Sequence, residues 1–93
     1  MTKFELGHLT STTGVAGKML GDVAFSKWVN ACLRRHINAD WGDCDEEDKA
    51  VNDEALKTGE RLMSVYKHET LPTIWIITER DRSATTVLFP EEY

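Results

Sequence analysis

The stretch Leu62–Phe89, LMSVYKHETLPTIWIITERDRSATTVLF, decides the fold. Its apolar residues recur with a period of two. Leu62–Lys67 reads as one strand and Thr73–Glu79 as a second, the latter rich in β-branched and aromatic residues. Ala84–Phe89 returns as a third, and Pro90 stops it. His68–Pro72 and the polar Arg80–Ser83 are the connections. Three such strands with short links predict an antiparallel meander. In the middle strand Ile74 and Ile76 point to one face, Trp75 and Ile77 to the other. Both faces are therefore expected to be covered at least in part, one by helices and one by loops or a partner.

Working back along the chain, the period changes to that of helices. Asp45 is an N-cap candidate, and Glu46, Glu47 and Asp48 then fill the positive first turn of a helix that runs to about Thr58 and ends at Gly59. Its apolar residues, Ala50, Val51, Ala55 and Leu56, make one narrow seam. Upstream, Ser26 is read as the N-cap of a helix over Lys27–Asn38, with Trp28, Val29, Cys32, Leu33 and His36 or Ile37 as its apolar stripe. Thr10–Gly14 is read as a turn entering a short helix over Val15–Leu20, which Gly21–Asp22 breaks. Met1–Leu9 alternates weakly, as a short strand would. The expected fold is α+β: one domain over residues 1–93, with an antiparallel sheet of three to four strands and two main helices plus a short one packed mainly on one face.

Ninety-three residues bury a thin core. Net charge is −5, with a pI of about 5.1. Direct grip on nucleic-acid phosphates calls for a basic patch, so it is not expected as the main activity. The first residues carry no signal-like apolar stretch and no segment is long enough to span a bilayer, so a cytoplasmic protein with reduced thiols is expected. Cys32 and Cys44 form no CxxC pattern, and no cofactor or structural metal is expected.

Arg34–Ala55 (RRHINADWGDCDEEDKAVNDEA) joins the two main helices and holds eight of the sixteen acids. The segments RRH-x3-DWGD (Arg34–Asp43), EEDK-x2-NDEALK-x-GERL-x-SVY (Glu46–Tyr66) and IWIITERDRSATTVLFPEEY (Ile74–Tyr93) resemble a family of small bacterial proteins found on plasmids, integrative elements and phages. Some of these are labelled plasmid-related, and others carry a type I restriction subunit label that a chain this short does not justify. Such proteins often read GDWGD where this chain has Ala39-Asp40-Trp41-Gly42-Asp43. If that Gly takes a positive φ, either Ala39 carries strain or the loop differs here. The resemblance implies a genetic setting in which small proteins often counter host defences, of anti-CRISPR or anti-restriction type. It brings no established activity.

Each candidate residue has a structural reading beside its functional one. Asp40, Asp43, Asp45 and Asp48 could gather a hard cation, but the EF-hand order fails and helix capping accounts for them. His36 is either a general base or a half-buried histidine bonded to a loop carboxylate such as Asp40 or Asp43. Trp41 either folds back as a core plug or stands out as an interface anchor. Arg35, His36, Arg61, Asp81 and Arg82 are expected to form structural polar contacts, Arg61 with the acidic loop among them. No Ser-His-Asp order, nucleophile elbow or HExxH is present. The reading that follows is stoichiometric binding to a host or phage protein through Asp40, Trp41, Asp43, Glu46, Glu47 and Asp48. The rivals are an enzyme or metal site at His36, Asp40, Asp43 and Arg82, and an acidic DNA mimic. An exposed edge strand would also offer a route to a homodimer.

Overall fold

The computed structural model describes residues 2–93; Met1, the first residue of the strand expected over Met1–Leu9, lies outside them. The fold is α+β, with three helices and a four-stranded mixed sheet. In chain order the elements are β1 (His8–Ser11), α1 (Thr13–Gly21), α2 (Val23–Ile37), α3 (Glu46–Thr58), β2 (Leu62–Tyr66), β3 (Ile74–Thr78) and β4 (Ala84–Leu88), then a short 3-10 turn, Pro90–Glu92. The strands lie in the order β1-β4-β3-β2.

The meander forms as its alternation predicts. Ser64 lies opposite Ile76, and Ile76 opposite Val87, so one row of side chains crosses three strands on one face. The all-antiparallel sheet is corrected at β1, which runs parallel to β4 with Thr10 beside Thr86. Parallel strands need a long crossover, and everything from α1 to β3 supplies it. The strand also falls later than expected, because pairing overrides the turn-like composition of Thr10 and Ser11. The Thr10 and Thr86 hydroxyls meet at 3.2 Å, and Thr12 N–H donates to the Val87 carbonyl at 3.1 Å.

Helix starts follow the side chains that satisfy their free N–H groups. Thr12 accepts from Val15 N at the start of α1. Asp22 accepts from Phe25 N at 3.0 Å, so α2 begins at Val23 and not after Ser26. The longer helix brings in Phe25, and the buried stripe becomes Phe25, Val29, Cys32 and His36, with Trp28 and Leu33 at its margins. In α3 the reading of both ends holds: Asp45 accepts from Asp48 N at 2.8 Å, and Gly59 takes the left-handed conformation (φ 80°) that favours glycine. Its seam is corrected: Asn52 and Ala55 are buried, whereas Val51 is 60% exposed.

The helices pack on the face of the sheet that carries Leu62, Tyr66, Ile74, Ile76 and Val87. Burying side chains of this size contributes about 1.5–3 kcal/mol each. The main cluster joins α1 and α2 to the sheet, and a second cluster gathers Trp41, Cys44, Ala55 and Leu62 under α3. On the opposite face Trp75 packs edge-on against Tyr93, 5.4 Å between ring centres.

Candidate functional site

The end of α2 sets the geometry of the acidic loop. Ala39 N–H donates to the His36 carbonyl and Asp40 N–H to the Arg35 carbonyl, the two bonds of a Schellman helix stop. The position that closes such a stop is left-handed, and Ala39 occupies it with φ 63°. The strain expected at Ala39 is therefore present, since a Cβ there meets its own carbonyl.

Beyond it, the loop is consumed by the fold. The Asp40 carboxylate takes two bonds from Arg35, at 2.8 and 3.3 Å, and one from Gly42 N–H. The guanidinium holds its carboxyl below the usual range. The Asp40 carbonyl accepts from the Tyr66 hydroxyl at 2.7 Å. Trp41 is a core plug and not an exposed anchor: it is 3% exposed, stacks on Phe4, and donates its indole N–H to Asp53 at 2.9 Å. Gly42 has φ 71°, and a Cβ there would strike the Val65 carbonyl and the Tyr66 ring. That close approach lets the loop lie along β2 like one more strand.

The contact closes the outer edge of β2. Asp43 N–H donates to the Val65 carbonyl at 2.6 Å, and Val65 N–H donates to the Trp41 carbonyl at 3.3 Å. The Asp43 carboxylate accepts from Lys67 N–H. One step earlier, the buried Asn52 amide donates to the Met63 carbonyl at 2.7 Å and accepts from Met63 N–H at 3.1 Å. A side-chain amide carries the same donor and acceptor as a peptide unit, so Asn52 completes the edge. Nothing in the periodicity of α3 marks it beyond one polar residue beside the apolar seam.

His36 meets no carboxylate, which corrects the pairing expected with Asp40 or Asp43. It is fully buried, with Nδ1 at 2.6 Å from the Ser64 hydroxyl and Nε2 at 2.9 Å from that of Thr78. The direction of this chain can be worked out from its far end. Thr85 donates to the Leu6 carbonyl at 2.7 Å, so it accepts from Thr78, 2.8 Å away. Thr78 then accepts from His36 Nε2–H, which leaves Nδ1 to accept from Ser64. The ring is neutral, and burial pushes its pKa down to about 4. With both nitrogens bonded to hydroxyls and no solvent contact, it has no free lone pair to offer a substrate in this state.

The remaining residues of the expected polar network fall into separate places. Arg82 donates to the carbonyls of Ala55 and Glu60 at the end of α3, and lies over the Phe4 ring. Asp81 caps its own turn by accepting from Ser83 N–H. Arg61 donates to the Tyr93 hydroxyl at 2.8 Å and not to the acidic loop. The side chains of the rival set His36, Asp40, Asp43 and Arg82 are thus each bonded to different partners within the fold. Among the described residues no group of three His, Cys, Asp or Glu side chains could hold a metal ion. Cys32 and Cys44 are free, and burial pushes the Cys32 thiol up to about 12.

Two surfaces remain. Glu46, Glu47 and Asp48 stand exposed on the first turn of α3, with one loose ion pair, Glu46 to Lys49 at 3.8 Å. At the other end of the sheet, β1 is an unsealed edge beside a cleft of about 160 Å³ between β1, α1 and α2. Charge is uneven along the sequence: residues 1–39 carry +3 and residues 40–93 carry −8, together the net −5. Comparison with protein-family models, with curated proteins and with solved structures gives no match.

Proposed function

We propose that this chain is a small accessory protein of a phage or other mobile element that acts in the cytoplasm by stoichiometric binding to a host protein, of the kind that counters a defence system. The acidic start of α3 is its contact surface, and its partner presents a basic one. The observation that carries this reading is the fate of the acids. Asp40 and Asp43 are bonded into the loop, while Glu46, Glu47 and Asp48 are left outward, in the acidic part of the sequence. Opposite charge across such a surface speeds encounter and sets register. No helix among the described residues is long and apolar enough to cross a membrane.

The test is capture from host lysate by the tagged protein and by a Glu46→Gln, Glu47→Gln, Asp48→Asn variant. Asp43 is left intact because it also holds the β2 edge. The wild type is expected to retain one stoichiometric protein, and the variant to lose it while melting within a few degrees of the wild type. Equal capture by both removes this surface. Binding that persists at high salt would favour apolar docking over charge.

A further inference from the structure

We infer that β1 is a second binding site, which takes an extended, acidic segment of another protein as an added strand. The backbone specifies the shape of the occupant. His8 N–H donates to the Ser83 carbonyl and Thr12 N–H to that of Val87, so the alternation of a strand turns the N–H and C=O groups of Leu9 and Ser11 away from β4. Another extended backbone supplies donors and acceptors at that spacing.

The side chains specify its chemistry. Leu9 and Ser11 share the helix-side face of the sheet, where Leu9, Met19, Val29, Leu33 and Val87 line the cleft and Leu9 is still 48% exposed. An apolar residue of the added strand fits there. Asn30 closes the α2 side of the cleft. Lys27 and Arg34 lie on the same face of α2, three residues before and four after it. Both are exposed and form no ion pair among the described residues. Val23, 72% exposed, continues this stripe one turn earlier. Two unpaired cations on the helix side of the sheet, above an apolar cleft, call for acids two residues before and two after the apolar one, since side chains on one face recur at every second position.

A second copy of this chain is the poorer occupant. Antiparallel pairing of two β1 strands about Thr10 would bring two sets of Lys27 and Arg34 together, and like charges would oppose it. The site is separate from α3, so it stands or falls independently of the acidic surface.

The probe is a synthetic peptide of about nine residues, threonine except for a central valine and a glutamate two positions to either side of it, titrated into the isotope-labelled full chain. Expected are shifts at the β1 amides, with the Leu9 and Ser11 N–H groups becoming slow to exchange. Ser11→Pro removes one outward donor while leaving the ladder to β4 intact, since edge strands admit Pro where the N–H faces solvent. It should weaken the peptide about tenfold or more. The double variant Lys27→Glu, Arg34→Glu, which does not touch the strand, should reverse the preference toward the same peptide with lysine in place of each glutamate. Shifts confined to other surfaces, or a charge-reversed variant with unchanged preference, would overturn the proposal. So would slow exchange at Leu9 and Ser11 in the free protein together with a sedimenting dimer, which would assign the edge to a second copy.

Discussion

Along the outer edge of β2, the groups of Met63, Val65 and Lys67 that turn away from β3 are met by Asn52, Trp41 and Asp43. Along β1, the outward groups of Leu9 and Ser11 have no hydrogen-bond partner among the described residues, and an apolar cleft lies beside them. An unpaired edge invites other strands, and proteins commonly blunt it with loops, charges or short length. Here one edge is sealed by a buried amide and a loop shaped to fit it, and the other is guarded only by its shortness. The exposed acids Glu46, Glu47 and Asp48 lie on the side of the sealed edge, and Lys27 and Arg34 beside the open one. The difference teaches that the DWGD segment is first a structural device, and that binding is to be sought where the chain leaves backbone and charge unanswered.

The largest way to break this comparison is through the centre that joins the two sides. His36 ties β2 to β3, and through Thr78 and Thr85 it reaches the N-terminal segment that leads into β1. Its folded value near 4 lies below its ordinary 6.5, so on acidification the unfolded chain takes up the proton first. The stabilisation is fully present above pH 6.5 and is lost as the pH falls from 6.5 to 4. Over that window the loss should be about 3 kcal/mol. Urea midpoints measured across it would show the slope, and a His36→Leu variant should flatten it. A flat wild-type profile would mean that the ring is solvated.

A smaller and more local break is Asn52→Ala. It leaves Met63 N–H unpaired at a covered edge and the Met63 carbonyl to the Cys44 thiol, 3.5 Å away, at a cost of about 2 kcal/mol. If the sealing argument holds, the variant should also begin to associate with increasing concentration, through β2 rather than β1. Sedimentation velocity with exchange protection read at Met63 would check both parts. Ala39→Gly sharpens the comparison instead. Relief of the left-handed strain should stabilise the sealed side by about 1 kcal/mol, seen as a higher denaturant midpoint with unchanged slope.

Much of this architecture is written in neighbouring residues. Asp45 and Gly59 bound α3 because an N-cap and a left-handed stop act within one turn of the helix they close. The meander was legible because alternation in Leu62–Phe89 is imposed by the pleat itself. Other features have no local signature. Thr10 and Thr86, which set the parallel course of β1, lie 76 positions apart, and His36 finds Thr78 across 42. Whether Trp41 faced inward, whether Asn52 served a helix or an edge, and which strand was left open depended on what the rest of the chain placed beside them. Sequence spacing fixes the direction of a side chain relative to its own element; what that side chain meets is decided only when distant elements pack.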